Sequence, residues 1–195
     1  MTADITIYQS PFGKLTWDGG LDWWVSDELP IPMFGGRLLT ISFQADNPSA
    51  PISDAVIKAV TAMLRLESST LDSITPHVWG NYHEFRDAVG ADEIEAIEPS
   101  EDIWAHVQPG AAMVDERDGE VYVSFECNCD WEIEHGLMLV LKDGVRWVKV
   151  SAYNGHFTDG HAYAKPRLDD WINDPDATLP IRTFAQMMAV PGGPD

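Results

Sequence analysis

Cysteine is nearly absent from this chain: Cys127 and Cys129 are the only two among 195 residues. That is too few for the disulfide framework of a small secreted domain. On an extended strand, residues two apart point the same way but stand about 7 Å apart, too far for a single disulfide. Both are therefore expected as reduced, buried thiols. Long apolar runs are missing too. No stretch approaches the roughly 18 to 20 residues a membrane-spanning helix needs, and the opening MTADITIYQS has neither the basic nor the apolar region of a signal peptide. The expected compartment is the cytoplasm. Basic residues are the third shortage, with 12 against 32 acids and a formal charge of -20. Such a field repels nucleic acid and anionic membranes, and it speeds association with a basic partner.

Signatures of catalysis are lacking as well. There is no GxSxG, no HExxH, no paired CxxC, no EF-hand loop, no GxGxxG and no P-loop. Neither cysteine has a cationic neighbour in sequence to lower its pKa. The pairs Gly19-Gly20 and Gly35-Gly36 read as turn glycines. The sequence thus points away from an enzyme and implies no cofactor.

What is present is a chain of alternating texture. Hydrophobic residues make up 45% of it, including eight Trp, seven Phe and five Tyr, enough to build a core at this length. Residues 4–45 read as β-structure broken by turns, with a tight hairpin expected at Asp18-Gly19 and with Leu39, Ile41 and Phe43 facing one side. Helical spacing follows. Ser53 is the expected N-cap of a first helix carrying Ile57, Val60 and Leu64, with Asp54 in its positive first turn. A second helix carries the stripe Val78, Tyr82, Phe85 and Val89, with Thr75 at its N-cap, Pro76 at its first position and Gly90 ending it. The acids Asp92, Glu93, Glu95 and Glu98 mark an exposed connector, and Ser100 is the expected cap of a brief further helix.

The C-terminal part is β-structure again. Asp118-Gly119 and Asp143-Gly144 each predict a two-residue hairpin turn. Between them the odd positions Cys127, Cys129, Trp131 and Ile133 are apolar, and the even positions Glu126, Asn128, Asp130, Glu132 and Glu134 are polar. A strand that long must bend near Asn128 to Glu132. The fold class is α+β: an N-terminal antiparallel meander, two central helices and a C-terminal antiparallel sheet. Residues 1–165 are expected as a single domain, and 166–195 as a partly irregular C-terminal extension with a frayed end.

Phe12-Gly13-Lys14-Leu15, Trp23-Trp24, Pro32-Met33-Phe34-Gly35 and above all Glu132-x-Glu134-His135-Gly136-Leu137 before a hairpin resemble a family of uncharacterised bacterial proteins carrying a domain of unknown function. The resemblance spans roughly residues 10–160. The family's members look like small cytoplasmic α+β proteins, some similar to the immunity proteins found beside polymorphic toxins, and the resemblance implies no established activity.

Two functional expectations follow. In the first, the chain is an acidic binding module for a basic protein such as a toxin, meeting it through the acids Asp92, Glu93, Glu95, Asp115, Glu116, Asp118, Glu132 and Glu134. Sixteen of the acids fall between Glu84 and Glu134, where Arg86 and Arg117 are the only bases. In the second, Asp130, Glu132, Glu134, His135, His156, Asp159 and His161 converge as the metal site of a metal-binding protein or a metal-dependent hydrolase. Convergence of those side chains would separate the two.

Overall fold

The computed structural model describes residues 6–45, 47–49, 52–98 and 102–173. Ten strands and three α-helices follow one another among them. The first half runs β1 (Ile7–Ser10), β2 (Gly13–Asp18), β3 (Trp23–Ser26), β4 (Leu29–Ile31), β5 (Arg37–Leu39), β6 (Ile41–Gln44), α1 (Asp54–Met63) and α2 (Thr75–Val89). Then come β7 (Val107–Arg117), β8 (Glu120–Cys129), β9 (Glu132–Lys142), β10 (Arg146–Ala152) and the short α3 (Asp159–Tyr163). The class is α+β, with strands dominant. No helix among the described residues is long and apolar enough to cross a membrane.

The N- and C-terminal strands do not form separate antiparallel sheets, as their positions in the sequence imply. Eight of them share one sheet in the order β1-β2-β3-β6-β7-β8-β9-β10, while β4 and β5 form a separate pair. The join is parallel: Ile41 is in register with Ala112, Ser42 with Met113 and Phe43 with Val114. Parallel neighbours need a long crossover, and the segment holding α1 and α2 supplies it.

Residue contacts divide the chain into two compact units. The first comprises Met1–Ser68, Ala111–Phe125 and Leu141–Arg146. In it, β2 and β3 pair Asp18 with Trp23 and Trp17 with Trp24. The connection is thus a four-residue loop, Gly19 to Asp22, rather than the expected tight turn, and Asp22 takes the left-handed conformation at φ 57°. The pairing brings the rings of Trp17 and Trp24 edge to face at 5.4 Å, an arrangement aromatic pairs favour. Leu39, Ile41 and Phe43 are all buried as expected. The chain changes sheets between them, however, at Thr40.

Ser53 caps α1 as the sequence predicts, its hydroxyl accepting from the Val56 N–H at 3.1 Å. The buried stripe is Val56, Ala59, Val60 and Met63, so it lies on a face adjoining the predicted one. At the turns Asp118-Gly119 and Asp143-Gly144 all four residues have positive φ, the conformation that two-residue hairpins require. Gly144 has a second reason to lack a side chain, because a Cβ there would stand 1.9 Å from the carbonyl oxygen of Ala59 in α1.

The second unit comprises Ser69–Gly110, Glu126–Val140 and Trp147–Asp195. The predicted cap of α2 is displaced by one residue: Ile74 occupies the N-cap, and Pro76 still sits in the first turn. Thr75 is otherwise engaged, donating to the Leu71 carbonyl and accepting from the Trp104 indole, both at 2.9 Å. Gly90 ends the helix at φ 121°. Of the predicted stripe, Val78 and Tyr82 are buried, but Val89 is 49% exposed. Asp102 caps the turn Ile103–His106 through the Trp104 N–H at 3.0 Å. Ser100 lies outside the described residues, as do residues 174–195 of the expected extension. The earlier part of that extension is ordered around Leu168 and Trp171, which are buried with Tyr163 against them.

Candidate functional site

The turn between β8 and β9 is the most informative stretch of the second unit. Its two residues are Asp130 and Trp131, and the apolar alternation predicted to run through it does not survive. Trp131 is buried, its indole donating to Asn81 of α2 at 2.9 Å and its ring meeting Tyr82 edge-on at 5.8 Å. The parity then inverts: Glu132 is 3% exposed and Ile133 is 89% exposed. The cause is a set of donors that converge on one carboxylate. Oε1 of Glu132 accepts from the backbone N–H groups of Glu134 at 2.8 Å and His135 at 3.1 Å, and Oε2 lies 3.0 Å from His135 Nδ1. Hydrogen bonds to the ionised form are what make a buried carboxylate tolerable. With Glu132 turned inward, its successor must face out.

Gly136 completes the motif. It has φ +70° inside β9, and a Cβ there would lie 2.4 Å from the Cys127 carbonyl oxygen of the neighbouring strand. Glu132, His135 and Gly136 thus build a turn and its close strand contact.

Beside the turn lies a groove of about 520 Å³. Ile94, Ala96 and Ile97 form one side, with Trp131 and Ile133 among its other lining residues. Its polar lining includes Glu95 and Asp130. Asp130 is held by two neighbours: Oδ2 is 2.9 Å from His106 Nδ1, and Oδ1 accepts from the Gln108 amide at 3.3 Å. Its side chain remains 56% exposed. The Ile94 to Ile97 wall is anchored by Tyr82, whose hydroxyl accepts from the Ile97 N–H at 2.9 Å.

Of the acids expected to meet a partner, Asp92, Glu93, Glu95, Glu116, Asp118 and Glu134 are exposed. Asp115 is partly buried and lies 3.4 Å from the Arg117 guanidinium, and Glu116 accepts from the Ser53 hydroxyl at 2.5 Å. Glu132 departs from the set because it is spent inside the fold.

The residues of the metal expectation are not brought together. Among the described residues no group of three or more His, Cys, Asp or Glu side chains is arranged to hold an ion. Asp130 is paired with His106 and Glu132 with His135, while His156 and His161 are exposed.

Asp159 instead forms a buried ion pair that sequence reading missed. Both it and Lys149 of β10 are fully buried, with Nζ 3.9 Å from Oδ1. The ammonium also donates to Asn154 Oδ1 at 2.6 Å and to the His156 carbonyl. Trp171 donates its indole N–H to Oδ2 of Asp159. Burial pushes the Lys149 pKa down to about 8, with Asp159 opposing the shift. Burial raises that of Asp159, against the pull of Lys149 and Trp171. The pair ties the segment following β10 to the strand itself. The sequence signal is a lysine between the valines Val148 and Val150.

The structure is thus a strand-rich α+β fold with a large mixed sheet. Over residues 11–157 the chain belongs to the DUF6985 family, a domain of unknown function. Searches of curated proteins and of solved structures returned no match.

Proposed function

We propose that this protein is an acidic, non-catalytic binding module of immunity type, which neutralises a basic protein such as a toxin in the bacterial cytoplasm. The observation that carries the reading is the charge distribution. Sixteen acids lie between Glu84 and Glu134 against Arg86 and Arg117, and six of the acids singled out from the sequence stand exposed. Exposed acids in such excess steer a basic partner by long-range attraction and hold it by short-range complementarity. It also disfavours nucleic acid, whose phosphates carry the same sign.

Co-expression with the product of the adjacent gene tests the proposal. The expected result is restored growth of cells that the neighbour alone would kill, together with a co-purifying complex. The association rate should fall steeply between 50 mM and 500 mM salt, because exposed charges are screened over about one Debye length. Absence of both complex and protection would refute the reading.

A further inference from the structure

The outward orientation of Ile133 is a built feature, since the buried Glu132 carboxylate and its two backbone donors hold the turn in that arrangement. Isolated apolar side chains on a surface need no explanation. This one lines a groove whose floor and walls include Trp131, Ile94 and Ile97, and whose polar lining includes two acids. None of the described lining residues is Lys or Arg, and the one imidazole, His106, lies against Asp130. The acids Asp92, Glu93 and Glu134 neighbour the lining residues Ile94 and Ile133 in sequence and are exposed.

Resting on the binding role proposed above, we infer that this groove is the docking site for a short basic segment of the partner protein. The segment places an apolar side chain against Ile133 and its flanking Lys or Arg residues toward Asp130 and Glu95. Charge complementarity selects this occupant. A second copy of the chain would bring another formal charge of -20 to an acidic rim, and an anionic membrane would be repelled in the same way. A purely basic segment would satisfy the rim and leave Ile133 in water. A purely apolar one would fill the groove and leave the acids without counter-charges.

The test uses the full chain, labelled with ¹⁵N, and two capped synthetic pentapeptides: one with leucine between two pairs of lysines, the other with serine in its place. At low salt the leucine peptide is expected to shift the amide resonances of residues 94–97 and 128–133. Ile133→Ser should weaken it roughly tenfold, in line with the loss of one buried aliphatic contact. The serine peptide should bind about as weakly to the parent chain and be indifferent to Ile133→Ser. Because Ile133 is 89% exposed, that variant leaves the core untouched, and an unchanged melting temperature verifies it. Equal affinity of the leucine peptide for parent and variant, or shifts confined to residues 115–118, would overturn the groove as the site while leaving the acidic-module reading standing. Failure of both peptides to bind would likewise overturn the groove as the site, the acidic-module reading being decided by co-expression.

Discussion

Replacing Lys149 by Met at neutral pH removes a cation from the interior and leaves the Asp159 carboxylate with the Trp171 indole as its remaining donor. At a separation of 3.9 Å and an effective dielectric near 20, the attraction lost is about 4 kcal/mol. Experience with buried pairs gives a similar cost, about 3–5 kcal/mol, for removing one partner. Asp159→Asn strands the ammonium less severely, because Asn154 and the His156 carbonyl still accept from it; about 2–3 kcal/mol is expected. The double variant carries neither charge, so its destabilisation should fall short of the sum by about 2–4 kcal/mol. Urea titration followed by tryptophan fluorescence measures all four corners of the cycle.

The same cycle has a pH signature. The Lys149 pKa is about 8 in the folded chain against 10.5 in the ordinary state. Between those values the unfolded chain binds more protons than the folded one, so this group makes stability rise with pH. The rise is on the order of 2–3 kcal/mol, and Lys149→Met should lack it. Coupling below about 0.5 kcal/mol at pH 7, or a rise that persists in the variant, would refute the reasoning.

Three further outcomes are expected. Glycine-to-alanine changes should rank by what their Cβ meets: Gly144→Ala and Gly136→Ala, whose new atoms would lie 1.9 Å and 2.4 Å from backbone carbonyl oxygens, should each cost more than about 3 kcal/mol. Gly35→Ala, with φ +66° and nothing within 4 Å, should cost only about 1 kcal/mol, as chemical denaturation would show. Glu132→Ala should destabilise by about 1–3 kcal/mol, since it takes the acceptor from two backbone N–H groups, and hydrogen exchange should speed up at the Glu134 and His135 amides before it does elsewhere in β9. Finally, burial lowers the His77 pKa from 6.5 to about 4, so between those values the unfolded chain binds the extra proton and stability falls on acidification. His77→Phe, which keeps a ring against Trp171 (ring centroids 5.3 Å apart in the parent), should flatten that slope by about 2 kcal/mol in melts run from pH 7 to pH 4.5.

Local chemistry was the part of this fold that could be read in advance. Ser53 announces a helix start because its hydroxyl is the right group one residue before an apolar stripe, and Asp118-Gly119 and Asp143-Gly144 announce hairpins because few other pairs accept two positive φ values. Pairings between distant strands left no such mark. Nothing in Ile41 to Phe43 or Ala112 to Val114 says that they lie side by side and parallel, since the apolar residues of each suit any buried neighbour. Alternation failed where a side chain competed with the pleat. Glu132 and Ile133 follow the pattern in composition and reverse it in space, because the carboxylate gains three contacts by turning inward. The metal expectation took Asp130, Glu132 and Glu134 from the polar half of that pattern, and the turn sends Glu132 inward. Lys149 escaped notice for a related reason, as its partner Asp159 lies beyond a loop and no spacing rule links the two.

The inverted turn separates two kinds of constraint at adjacent positions. Changing Glu132 strikes the fold, whereas changing Ile133 leaves every internal contact of the strand in place. Position 133 is therefore tolerant: side chains that keep the strand backbone can replace one another there at little cost to stability. A lineage under pressure to follow a changing counterpart would have in this one residue a dial that can be turned without first acquiring compensating substitutions elsewhere.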